Sequence, residues 1–184
     1  AVKKPEWGWY ATGPGVGIQL QRGKHTGRLV IPCDHRVGQG RDKLNSQGHS
    51  HVFYSDDHGK TWRLGGVTAS GMNECQVVEL ADGTLMLNMR SYRGKKRRGI
   101  SLSQDGGLTW TEPQDDPFLI EPVCQASFLR YSIAGPHGRS NNGRNRVLFS
   151  NPASRSKRDH LTLRLSHDEG KTWPKSKLVY AGSA

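Results

Sequence analysis

The chain has 184 residues, enough to bury one real core, and 33% of them are hydrophobic against 23% charged. No apolar run approaches the roughly 18 residues of a membrane-spanning helix, and five Trp, five Tyr and evenly spread Gly and Pro argue against disorder. A formal net charge of +11 favours anionic partners without choosing among acidic sugars, phosphates, nucleic acid and membrane surfaces. Short apolar segments alternate with turn residues throughout, and no stretch carries the period of a long helix, so the expected class is all-β.

In chain order, strands are expected at 17–20, 28–32, 51–54 and after Trp62, forming one sheet. Gly13-Pro14-Gly15 before them is glycine-rich, but no Gly-Lys-Ser/Thr follows, so it reads as a tight turn and not as a phosphate loop. A second sheet is expected from 76–80, 85–90, 99–102 and a strand from Trp110 onward, with Ala81-Asp82-Gly83 as an Asp-Gly hairpin turn. The basic run Arg93-Gly94-Lys95-Lys96-Arg97-Arg98 falls between two of these strands and reads as a solvated hairpin tip. A third sheet is expected from 125–130, 146–150, 161–165 and 177–180, with a polar loop at 135–144. Cys33, Cys75 and Cys124 lie far apart without a Cys-x-x-Cys pair, which indicates neither a disulfide framework nor a thiolate metal centre. His35, His51, His137 and His160 show no zinc-ligand spacing, so no metal is expected.

One repeat organises the chain. The pattern Ser-x-Asp-x-Gly-x-Thr-Trp occurs at Ser55, Asp57, Gly59 and Trp62, at Ser103, Asp105, Gly107 and Trp110, and at Ser166, Asp168, Gly170 and Trp173. An Asp can hold a tight turn through nearby amides, Gly accepts a positive φ, and Trp offers a large apolar body to pack back on the hairpin. These positions read as structural, not catalytic. One such hairpin per unit leaves room for about four strands, the size of a propeller blade. The approximate blades are 9–70, 74–118 and 123–184. Three blades do not close a ring, since propellers typically have about four to eight. The expectation is part of a six-bladed β-propeller, about three four-stranded antiparallel blades, with the remaining blades missing from this chain.

The box and the segments between its copies resemble the sialidase family. The segments are Trp9-Tyr10-Ala11-Thr12-Gly13-Pro14-Gly15-Val16-Gly17-Ile18-Gln19-Leu20, Gly27-Arg28-Leu29-Val30-Ile31-Pro32-Cys33, Gly71-Met72-Asn73-Glu74-Cys75, Asp82-Gly83-Thr84-Leu85-Met86-Leu87-Asn88-Met89-Arg90 and Arg158-Asp159-His160-Leu161. The resemblance implies a six-bladed propeller that releases terminal sialic acid from glycoproteins, glycolipids or oligosaccharides. Three arginines hold the substrate carboxylate, an Asp serves as acid/base, and a Glu activates a nucleophilic Tyr, the exception among retaining glycosidases, so the resemblance implies no cofactor. By motif position Glu74 resembles the activating Glu, Arg90 the second arginine and Arg158 the third; Gln125 lies near a pocket residue of the family.

The chemistry suits these types. Arginine stays charged and grips carboxylates in bidentate fashion, and a phenol of pKa about 10 needs a base at neutral pH. The family's first arginine sits in a Phe/Tyr-Arg-Ile-Pro segment, whereas Leu29 precedes Val30-Ile31-Pro32 here. The acid/base Asp belongs to that same absent region. The Tyr follows a strand ending like Leu178-Val179-Tyr180-Ala181-Gly182, and Tyr180 stands too early for that role. The chain alone is therefore expected to be inactive. The alternative is a non-catalytic propeller of the same repeat that binds carbohydrate or protein. A nucleic-acid-binding sheet would alternate aromatic and basic strand residues, which this chain does not.

Overall fold

The computed structural model describes residues 2–38, 48–134 and 143–183, so residues 135–142 of the expected polar loop lie outside the described residues. Thirteen strands form three antiparallel sheets, and the one helical piece among the described residues is a 3-10 turn at Gly23–His25. The first sheet contains β1 (Trp7–Thr12), β2 (Ile18–Gln19), β3 (Leu29–Val37), β4 (Gly48–Ser55) and β5 (Arg63–Val67). The second contains β6 (Met72–Glu79), β7 (Leu85–Ser91), β8 (Arg97–Ser103) and β9 (Gln114–Ile120), and the third β10 (Ser127–Ser132), β11 (Arg146–Pro152), β12 (Leu161–Ser166) and β13 (Lys175–Tyr180). The second and third sheets are meanders in sequence order.

The first sheet differs from expectation at its inner edge. β1 and β2 both pair with β3, Thr12 opposite Cys33 and Ile18 opposite Val30. Five strands thus fill four positions. The two-residue β2 replaces the strand expected at 17–20, and β1 carries most of that edge. Gly13, at φ +81, starts the turn that divides the two, and its amide still reaches Pro32 O at 2.7 Å.

Two apolar layers separate the three sheets, and the period of two residues on a strand sorts side chains between them. Leu85, Leu87 and Met89 of β7 face Val30, Val52 and Tyr54 of the first sheet. Met86 faces the other way, toward Phe128, Val147 and Phe149 of the third. A strand buried on both faces reads as a near-continuous apolar run, which is why Leu-Met-Leu-Asn-Met shows so little alternation. Burying a Phe or Leu at such a position stabilises by about 1.5–3 kcal/mol. The outer face of the third sheet exposes Leu129, Leu161 and Leu163.

The three boxes form the β4–β5, β8–β9 and β12–β13 turns. In each, Asp accepts from the Ser hydroxyl, the Thr amide and the Thr hydroxyl, as in Ser103 Oγ–Asp105 Oδ1 at 2.8 Å, Thr109 N–Asp105 Oδ1 at 2.9 Å and Thr109 Oγ1–Asp105 Oδ2 at 2.6 Å. The glycines sit at φ +88, +93 and +82, a region that costs other residues energy. The tryptophans do more than fold back on their own hairpins. Trp110 donates to Gly66 O of the preceding sheet at 3.2 Å, and Trp173 enters the layer between the second and third sheets. Arg28 likewise joins Asp56 (2.7 Å) of the first box turn to Gly106 O (3.0 Å) of the second.

Candidate active-site cleft

Strand register separates the boxes from the opposite ends of the sheets. Ser103, which opens the second box, pairs with Leu85, and Leu85 with Glu79 at the end of β6. Glu74 and Arg90 stand at the other end, where Met72 pairs with Ser91. At that end lies a cleft of about 230 Å³ lined by Trp9, Pro14, Asp34, Glu74, Arg90 and Tyr92, among others.

Glu74 leaves β6 at a register shift between Met72 and Cys75. Arg90 Nη1 donates to Glu74 Oε2 at 2.7 Å, with both side chains part-exposed. The Arg90 guanidinium also lies 5.0 Å from the Tyr92 ring centroid, within cation–π range. Burial is the largest influence and works against the Arg90 charge, but the hydrogen bond to Glu74 and the neighbouring Tyr92 and Glu74 charges together hold the guanidinium above the usual arginine value. Arg90 Nε is buried and has no partner among the described residues. A part-exposed guanidinium lining a cleft suits a ligand carboxylate.

Beneath this pair is Asp34 on β3, 1% exposed. Its Oδ2 accepts from Trp9 Nε1 at 3.0 Å and Asn73 Nδ2 at 2.8 Å, while Oδ1 has no partner among the described residues. Burial pushes the Asp34 carboxyl up to about 7; the Trp9 hydrogen bond opposes this and the charge of Glu74 adds to it. Asp34 thus ties β1 to the residue before Glu74. Behind it, Trp7 stacks on His35 at 3.7 Å, and His35 Nδ1 meets His51 Nδ1 at 3.0 Å. Burial lowers the two histidines to about 4 and about 3, so both are neutral at neutral pH.

The remaining site candidates are placed differently. Gln125 donates through Nε2 to Pro14 O and lines a neighbouring cavity with Gln76 and Asn151; Pro14 is common to both cavities. Arg158 is exposed on the β11–β12 turn and is not among the residues lining the cleft of Glu74 and Arg90. Sequence reasoning missed Asp34 and Tyr92. Asp34 lies beyond the strand expected at 28–32, and no local pattern marked it.

The chain matches the BNR repeat-like domain family over residues 2–184. It is 39% identical over 184 residues to a sialidase of Micromonospora viridifaciens, covering 97% of this chain and 27% of that protein. It is 34% identical to a sialidase of Bacteroides fragilis, covering 97% and 30%. The solved structure of a Hadza microbial sialidase superposes with a TM-score of 0.83 at 35% identity, covering 99% of this chain and 33% of that one. The chain therefore spans under a third of the length of these curated relatives.

Proposed function

We propose, from the premise that the chain belongs to the BNR repeat-like domain family, that it forms the middle-to-late portion of an exo-α-sialidase. The full protein would release terminal sialic acid from glycoproteins, glycolipids or oligosaccharides. The observation that carries this reading is the part-exposed Glu74–Arg90 pair at 2.7 Å in the cleft.

In this reading Arg90 binds the sialoside carboxylate through its second amino group while Nη1 keeps Glu74 in place. Glu74 then accepts the phenolic proton of a tyrosine as its oxygen bonds to the anomeric carbon. The aglycone leaves with a proton from the acid/base Asp, water later opens the tyrosyl intermediate, and configuration is retained. The first arginine, that Asp and the tyrosine come from blades outside this chain, so the chain alone binds without hydrolysing. Arg158 would act from the rim on the far side of the carboxylate. Gln125, through its hold on Pro14, sets the wall between the two cavities.

The test is titration of the chain with 3′-sialyllactose and lactose. Selective binding of the sialoside, weakened about tenfold or more by Arg90→Ala, fits the loss of a charge-assisted contact of about 1.5–3 kcal/mol. Equal binding of both sugars would refute the reading.

A further inference from the structure

Arg97 and Arg98 of the basic run, expected with the rest at a solvated hairpin tip, belong to β8, where Arg98 is buried. Residues 93–96 form the turn after Tyr92, a residue of the cleft. Its counterpart on the third sheet is the β11–β12 turn, residues 153–160, closed by Ala153 N–His160 O at 3.0 Å. Ser154 Oγ accepts from the amides of Ser156 (3.3 Å) and Lys157 (3.1 Å), which fixes the turn's tip. The two turns meet where Arg155 Nη1 donates to Lys95 O at 3.4 Å. Together they carry Arg93, Lys95, Lys96, Arg155, Lys157 and Arg158 against one acidic residue, Asp159. Asp159 is engaged by His160 Nδ1 at 2.8 Å, and Arg93 is drawn inward to Pro113 O and Asp115. Lys95, Arg155, Lys157 and Arg158 are exposed.

A ledge of cations beside an anion-binding cleft raises the local concentration of anions and attracts a second negative group on the same ligand. Tyr92, which lines the cleft, directly precedes the first of the two turns. We infer that this ledge is an accessory subsite for a second anionic group, a sulfate or a further carboxylate, on an acidic glycan whose terminal sialic acid occupies the Glu74–Arg90 cleft. This rests on the sialoside reading of that cleft. A duplex nucleic acid would need a longer continuous track of phosphate contacts, and the ledge ends at two short turns.

The experiment titrates the chain with 3′-sialyllactose, its 6-sulfated form, an α2,8-disialyl lactose, sulfated lactose lacking sialic acid, and random duplex DNA. Expected is about fivefold tighter binding of the sulfated or disialylated sugar than of 3′-sialyllactose at low salt, shrinking toward parity near 0.5 M salt as the exposed charges are screened. Whichever of the two shows the advantage identifies the anionic group. Lys95→Ala with Lys157→Ala should erase the advantage and leave 3′-sialyllactose affinity unchanged. Both lysines are exposed turn residues, so an unshifted melting temperature checks that the variant is folded. Equal affinities, an advantage that survives in the variant, or sulfated lactose or DNA binding as tightly as the sulfated sialoside would overturn the proposal. Failure of the chain to bind 3′-sialyllactose at all would remove the cleft reading and the subsite with it. Retained 3′-sialyllactose binding without an advantage would remove the subsite alone.

Discussion

Replacing Glu121 by Leu should destabilise the chain by about 3–5 kcal/mol, because it strands a buried guanidinium. Arg98 and Glu121 are 1% and 0% exposed and meet at 2.6 Å. Arg98 also donates to Asn88 Oδ1 at 2.7 Å and Cys124 O at 2.8 Å, and Glu121 Oε1 accepts from Ser91 N at 2.8 Å. With Glu121 gone, the ion pair and the Ser91 amide both lose their acceptor, and Ser91 directly follows Arg90. For a chain of this size the loss corresponds to about 6–20 °C in Tm. Removing the partner too, as Arg98→Leu with Glu121→Leu, should recover most of the loss. It should stay about 1–3 kcal/mol below the parent because Ser91 N–H remains unpaired. Arg98→Leu alone strands the Glu121 carboxylate and should cost about the same, so urea unfolding of the parent, both single variants and the double variant should give a coupling of at least about 3 kcal/mol. A coupling below about 1 kcal/mol, or a single variant as stable as the parent, would refute the reasoning.

Other consequences follow from the same contacts. Since the folded Asp34 carboxyl is raised to about 7 from the usual carboxylate value near 4, the folded state holds a proton between about pH 4 and 7 that the unfolded state releases. Its contribution is therefore fully present below about pH 4 and lost as pH rises to 7, by up to about 4 kcal/mol. Asp34→Asn should remove that slope in urea unfolding compared at pH 4.5 and 8; parallel pH profiles would contradict it. His35 and His51 act in the opposite sense, because their depressed values, about 4 and about 3, make the folded state lose stability as pH falls below about 6.5. His51→Phe should lessen acid destabilisation between pH 6.5 and 4, read as the change in Tm. Asp105→Ala should cost about 1–2 kcal/mol after allowance for solvent screening, yet leave sialoside affinity within about threefold, since the box lies at the end of the sheet away from the cleft.

Much of this architecture was legible because the boxes repeat. Each copy marks the turn between the last two strands of a sheet, and counting back from Ser55, Ser103 and Ser166 places most of the others. The run 85–90 is apolar on both faces because β7 lies between two sheets, and it was readable as a strand for that reason. β1 was missed because Trp7-Gly8-Trp9-Tyr10 has no simple apolar–polar alternation: Trp7 is buried, while Trp9 is 48% exposed and bonds Asp34. The nearness of Glu74 and Arg90 was legible in motif order, and β6–β7 pairing supplies the physical cause. Asp34 was not legible, because its role depends on Trp9 and Asn73 arriving from different strands. The meeting of the two basic turns depends likewise on the stacking of the second and third sheets, which no local pattern encodes.

The most direct test of the account is sialoside hydrolysis by the complete reading frame that contains this chain, with Glu74→Gln and Arg90→Ala as variants. The account predicts hydrolysis with retained configuration that falls by at least about 10²-fold in Glu74→Gln, the scale of a lost general base, and a raised KM in Arg90→Ala. A folded complete protein that binds sialosides without hydrolysing them, or activity indifferent to Glu74, would contradict it and leave a sugar-binding propeller in its place.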